Sequence, residues 1–372
     1  MPPPPDTYEA RYARLLTDYC LELEAGDKLF VNTTTLALPL VEEVYRAALR
    51  RGAHVTVDLE WEGRTRTYLD EASDEQLAYI NPLKRAAFED FDAYLAIKAP
   101  FNLRAMAGAP SDKQALRAKA TKSLNETYFR RTGTRELRRN LCQYPTQAAA
   151  QEAGMSLADY RAFVFGACKL DAPDPTEAWL EVRERQQAVV DMLNAHTTFR
   201  YRNAHSDITF STEGRTWINS DGQTNMPSGE VYTSPVEDSV EGHIHFDYPA
   251  VRAGHEVEGV TLTVERGEIV EWEARRGKDY LDKIFKIPGT RRFGEAAIGT
   301  NYDIGRLTRN MLFDEKIGGT VHMAIGQSYK QCGGMNESSV HWDLLAGMRE
   351  GGEVVADGEV VYRDGAFLGY HL

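Results

Sequence analysis

The stretch KLFVNTTTLALPLVEEVYRAALRRGAHVTVDL, residues 28–59, decides the first half of the fold. KLFVN is a short apolar run of the kind that forms a buried strand. A helix is expected over about 39–51, and Gly52 stands where a helix takes a left-handed stop. HVTVDL (54–59) reads as a second strand. Two strands joined through a helix imply a parallel pair, because a tight hairpin cannot connect parallel neighbours.

The same rhythm continues on both sides. A helix is expected over 7–24, ending in AGDK, and another over 74–88. AYLAI (93–97) is strand-like, a long basic helix follows over about 111–130, and ELRRNLCQYP (136–145) holds a fourth strand. Residues 145–195 read as mostly helical, interrupted by DAPDPT (171–176). After about residue 197 the texture changes to short β-rich segments such as SDITFSTEG, GEVYTSP and GHIHFDYP, punctuated by glycines. VERGEIVEW is a hairpin pattern, and helices return over 277–286 and 302–313. The expected architecture is an α/β N-terminal domain over 1–196, a parallel sheet with crossover helices, followed by a β-rich α+β catalytic domain over 197–372.

Bulk properties narrow the function. The chain has 372 residues and a net charge of −13, which argues against general affinity for nucleic acid. No run of about 18 apolar residues suggests a membrane span. The N-terminus, MPPPPDTYEARY, lacks the pattern of a signal peptide, and its prolines suggest an extended lead-in. Cys20, Cys142, Cys168 and Cys332 are scattered with no CxxC, so free thiols in a reducing cytoplasm are expected.

The residues able to do chemistry lie mainly in the second half. In TVHMAIGQSY (320–329), His322 alternates with Ala324 and Gly326, so a strand here leaves room beside the imidazole. In SSVHWDLL (338–345), His341 and Asp343 share one strand face while Val340, Trp342 and Leu344 share the other. Glu230 follows Gly229, and Glu295 follows Gly294 in an otherwise small and apolar stretch. A carboxylate there is costly unless paired or bound to metal. Each residue alone has an ordinary reading: a hydrogen-bonded strand histidine, a turn glutamate, the polar face of an amphipathic strand. Together, two imidazoles and three carboxylates match the inventory of a two-metal hydrolase site. His243 and His245 in EGHIHFDYP make an equally good pair by periodicity alone. GxSxG, HExxH, GxxxxGK[ST] and GxGxxG patterns are absent. RRTGTRELRRN (130–140) is basic, but a turn with a solvated basic surface explains it better than an anion site.

NMPSGEVYTSP, GEAAIGTN, DEKIGGTVHMAIGQSY and NESSVHWDLL, in that order, resemble the metal-dependent aminopeptidases of the aminopeptidase T / aminopeptidase S family. YARLLTDYCLELEAGDKLFV and TGTRELRRNLCQYPTQAAAQEAGMSLADYRAFVF extend the resemblance over nearly the whole chain. It implies a cytoplasmic exopeptidase that releases amino acids from free peptide N-termini, uses two divalent ions (zinc, cobalt or manganese) and forms a homodimer. Carried onto matching positions, it places metal ligands at Glu230, Glu295, His322, His341 and Asp343 and a catalytic tyrosine at Tyr329, and it does not select His243 or His245. The link between His322 and His341, 18 residues, is shorter than in some members. Glu295, with its small neighbours, is expected to be shared by both ions and to be catalytic. Tyr329 is expected to donate a hydrogen bond to the developing oxyanion. Glu337 is a candidate for a separate base, with a surface carboxylate as its ordinary reading. The rival functions are another two-metal peptidase or amidase (a dipeptidase or amino-acid amidase), an inactive peptide-binding relative, and a nucleotide-binding regulator built on the N-terminal half.

Overall fold

The computed structural model describes residues 6–372; the proline lead-in falls outside them. Two compact units divide the chain. One runs through Ala178 and takes in Gly222–Pro227; the other comprises Trp179–Asp221 and Ser228–Leu372.

The first unit is α/β, as expected. Its parallel sheet runs in the order His54–Glu60, Lys28–Thr34, Ala93–Lys98, Arg138–Gln143, Asn225–Met226. The helix Leu38–Arg50 makes the first crossover and buries Leu40, Val41, Val44, Ala47 and Ala48, an apolar stripe at helical spacing. Two expected helices differ in detail. The 74–88 helix is two, Asp74–Ala78 and Pro82–Glu89, because Asn81 caps the second and Pro82 opens it. The first helix is Tyr8–Arg14, and it continues more widely wound over Leu15–Cys20. The basic segment 130–140 is tied down internally. Arg131 donates to the carbonyls of Phe88 and Phe91, while Arg135 and Arg138 pair with Glu22 and Asp27. All four cysteines are buried and outside any disulfide.

The second unit is β-rich. A nine-stranded sheet runs from Ala250–Arg252 through His255–Glu265, Glu241–Phe246, Ser206–Ser211, Thr198–Asn203, Glu353–Ala356 and Glu359–Arg363 to Ala366–Phe367, with Glu268–Arg276 also paired to His255–Glu265. That last pair is the hairpin read from VERGEIVEW. Its two turn residues, Arg266 and Gly267, both have positive φ, the backbone that suits the twist of a two-residue turn. A five-stranded antiparallel sheet runs His341–Gly347, Thr320–Gly326, Phe293–Gly299, Glu230–Thr233, Ile218–Ser220. The two sheets contribute to one hydrophobic core: Phe199, Phe210, Ile244 and Leu262 from the larger, Val231, Ile298, Val321, Met323 and Leu344 from the smaller. The helix at 277–286 is Lys278–Ile284. Of the helix expected over 302–313 only Met311–Asp314 forms, because Arg309 takes a left-handed φ and Asn310 caps a fresh start. No helix among the described residues is long and apolar enough to cross a membrane.

Candidate metal centre

The period of two in the five-stranded sheet sorts its side chains cleanly. Val231, Ala296, Ile298, Val321, Met323, Ile325, Trp342, Leu344 and Ala346 belong to the core. The alternate residues fall on the opposite face, and they include Glu230, Glu295, His322, His341 and Asp343.

The register then spaces the five apart. Glu230 pairs with Gly299, and His322 with Ala297. Ala324 lies between Glu295 on one side and Asp343 on the other, and Gly326 pairs with His341. Every acid or imidazole therefore has a glycine or alanine beside it on an adjoining strand. Neighbouring strands lie about 4.8 Å apart, so side chains two strands apart lean towards each other over the small residue between them. A bulge between Phe293 and Glu295 helps aim the carboxylate.

The glycines before the two glutamates have steric reasons. Gly229 has φ +112°, and a Cβ there would stand 2.7 Å from Asn301 Cβ. A Cβ on Gly294 would meet the Gln327 carbonyl oxygen at 2.2 Å.

The side chains form two groups, Glu230–Glu295–His322 and Glu295–His341–Asp343; in each, one donor atom per residue lies within 4.8 Å of the others. Glu295 belongs to both, and its two oxygens divide the work. Oε1 is 3.8 Å from His322 Nε2, and Oε2 is 3.0 Å from His341 Nε2. Glu230 Oε2 is 3.4 Å from His322 Nε2, and Asp343 Oδ1 is 3.5 Å from His341 Nε2. His341 Nδ1 lies 2.7 Å from the Gln327 carbonyl, which fixes the tautomer with N–H on Nδ1 and turns Nε2 inward as an acceptor.

Glu230 Oε2, Asp343 Oδ1 and His322 Nδ1 are buried with no hydrogen-bond partner. Unsatisfied buried acceptors are costly. Two of these atoms face the shared space, and mixed imidazole and carboxylate donors suit zinc, cobalt or manganese. The residues thus fit a divalent cation.

The charged groups of the cluster shift one another's affinity for protons. Burial opposes a charge on His322, but Glu295, Glu230 and Asp343 outweigh it and push the imidazole up to about 9. Burial likewise opposes ionisation of Asp343, yet the His341 charge holds its carboxyl down at about 2. Burial also opposes a charge on Glu295, but the two neighbouring imidazoles overcome it and hold the carboxyl low.

Tyr329 joins the group: its hydroxyl is 3.3 Å from His341 Nε2. Burial, then the charges of Glu295 and Asp343, raises its phenol well above the ordinary value, so it remains an O–H donor at neutral pH. Glu337 lies elsewhere; its exposed side chain meets Lys330 at 3.6 Å. His243 is exposed, and His245 is bonded through Nδ1 to its cross-strand partner Thr261 within the nine-stranded sheet; neither joins a metal-sized group among the described residues.

Two further residues escaped the sequence reading. Gln186 is buried and ties Asn219 and Ser220 to the Glu230 strand while accepting from Thr300. Lys316 is wholly buried between Glu315 and Glu230. A Gln in a helix and a Lys next to Glu315 carry no signal that marks such roles.

The thermophilic metalloprotease (M29) family model matches residues 6–367. The chain belongs to this family. M29 membership makes it a metal-dependent peptidase, a hydrolase with a divalent metal cofactor, and bears out the resemblance drawn from the four sequence blocks. Similar proteins span its length. Aminopeptidase 2 of Geobacillus stearothermophilus is 27% identical over 91% of each chain. Aminopeptidase T of Thermus thermophilus is 26% identical over 95% of each. The solved structure of wild-type AmpT from Thermus thermophilus superposes with a TM-score of 0.82 at 25% identity, covering 97% of this chain and 99% of that one. A structure of 2,5-dihydroxypyridine dioxygenase from Pseudomonas putida KT2440 has a TM-score of 0.56 at 15% identity over 98% of this chain and 97% of that one; that likeness is one of fold alone.

Proposed function

We propose that this M29 member is a metal-dependent aminopeptidase that removes amino acids from the free N-termini of peptides and holds two divalent ions, zinc, cobalt or manganese. Glu230, Glu295 and His322 would hold one ion; Glu295, His341 and Asp343 would hold the other. The observation that carries this reading is the membership of Glu295 in both three-residue groups, one oxygen to each. When bound, such ions supply Lewis acidity that polarises a peptide carbonyl and lowers the pKa of water towards neutrality.

The protein's own groups do the rest. Glu295, fixed between two imidazoles, holds both subsites at one separation. The Gln327 carbonyl keeps the His341 ring from rotating. Tyr329, still protonated, offers its O–H to the oxygen that gains charge as the carbonyl is attacked. The full-length relatives named as aminopeptidases support the exopeptidase assignment. A homodimer and a cytoplasmic location complete the proposal; both come from the family resemblance.

The test pairs metal with substrate. Treatment with a chelator should abolish turnover, and zinc, cobalt or manganese should restore it. Peptides with an acetylated N-terminus should resist cleavage while their free counterparts are cut one residue at a time. Equal cleavage of blocked and free peptides would refute the exopeptidase reading. A length series from amino-acid amide to decapeptide separates the dipeptidase and amidase alternatives.

A further inference from the structure

Lys316 is the buried charge that the site's ligand set leaves unused. Its side chain is 0% exposed, and its Nζ contacts a Glu315 oxygen and lies 3.4 Å from Glu230 Oε1. A buried ammonium is costly unless paired, and an apolar side chain would fill the space without that cost. The backbone around it is braced. Asn301 donates at both ends: its N–H to the Lys316 carbonyl at 2.9 Å, and its Nδ2 to the Ser228 carbonyl at 2.9 Å. One residue thus links the segment carrying Lys316 to the turn that leads into Glu230.

The two oxygens of Glu230 are treated differently. Oε1 faces the ammonium; Oε2 has no hydrogen-bond partner and faces His322 Nε2 at 3.4 Å. We propose that Lys316 is a positioning residue: it engages Oε1 so that Glu230 presents Oε2 alone to the cation shared with His322 and Glu295. Glu315 completes the device. Its carboxylate neutralises the ammonium, so Lys316 can hold Glu230 without repelling the incoming cation. Among the described residues only histidines pair with Glu295 and Asp343, so the two subsites are built differently.

The inference rests on the reading of Glu230 as a cation ligand, and the experiment separates the two. Metal-free full-length protein is titrated with zinc against a chromophoric chelator, with no substrate present. Glu315→Gln/Lys316→Met removes the ion pair without changing net charge. We expect one of two binding steps to weaken by about 10–100-fold, the range for losing a residue that orients a ligand, with the other step unchanged and the circular dichroism spectrum intact. A merely structural lysine would lower the melting temperature and leave both steps alone; that result would overturn the proposal. If the double variant does not fold, Lys316→Arg keeps a buried cation but moves its donors, and it should weaken the same step; wild-type affinity for both ions would overturn the proposal. If wild-type protein binds no zinc, the metal-site reading itself fails, and this inference falls with it.

Discussion

Glu295→Gln tests the shared carboxylate most directly. Glutamine keeps the shape and one acceptor oxygen but puts an NH2 in place of the other. Glu295 Oε1 faces His322 at 3.8 Å and Oε2 faces His341 at 3.0 Å, so whichever way the amide turns, one subsite meets a donor. Both subsites lose the negative charge. A unit charge at 4 Å in a medium of effective dielectric 20 is worth about 4 kcal/mol per opposing unit charge, close to three powers of ten in affinity at about 1.4 kcal/mol per tenfold. The remaining amide oxygen returns part of this, so each ion should bind on the order of 100-fold more weakly. The assay is a chelator competition on metal-free protein, read for stoichiometry and both affinities, with turnover of a free-amine peptide alongside. If one affinity falls while the other holds within about twofold, Glu295 serves one ion and the sharing is wrong. Full turnover with both affinities unchanged would remove it from the ligand set altogether.

Tyr329→Phe should lower kcat by about 10²-fold, the usual loss for one oxyanion donor, with KM and bound metal little changed; steady-state kinetics and metal analysis check this. Ala324→Val fills the space between Glu295 and Asp343, so zinc affinity should fall by at least about tenfold while overpacking costs about 1–3 kcal/mol of stability, read by chelator competition and urea unfolding. Asp314 is buried, accepts from Thr308 N and Oγ1, and its carboxyl is raised by burial to about 7. A folded value above the unfolded one gives stability that is complete below about pH 4 and is lost as pH rises to about 7, so Asp314→Asn should be more stable than wild type at pH 8, by up to about 4 kcal/mol, and gain nothing at pH 4.

The parts of the fold that showed in the sequence are those that local pattern controls. The Leu38–Arg50 crossover helix and its two flanking strands follow from apolar spacing and a stopping glycine, and the 255–276 hairpin follows from Arg266–Gly267. The misreadings, too, are local: at Asn81–Pro82 and around Arg309 the backbone departs from a helix that composition alone favoured. The site is different in kind. Strands at 341–347 and 320–326 could be recognised as carrying imidazoles, but which small residue lies between which pair of ligands is a matter of register among segments up to about a hundred residues apart, and no single segment encodes it. Periodicity could not prefer His341 over His243; only the family resemblance did. Lys316 stayed hidden because its meaning comes from Asn301 and Glu230, both remote in sequence.

That dependence on register also explains why architecture by itself does not assign the chemistry. The fold is shared, at a TM-score of 0.56, with a protein named as a dioxygenase, so a parallel-sheet unit followed by this β-rich unit does not select peptide hydrolysis. What narrows the choice is the family match over residues 6–367; the structure adds the alternation of candidate donors with small side chains across four adjoining strands. A helix repeats its face every third or fourth residue and offers one ligand row; a sheet offers a lattice in both directions, with sites along the strand and across it. Two donor groups can then share Glu295 while the opposite face, from Val231 to Ala346, remains core. A bulky residue at Ala297, Ala324 or Gly326 would leave this architecture recognisable and still close the space between the donors, so the proposed site depends on these three positions as well as on the side chains they separate.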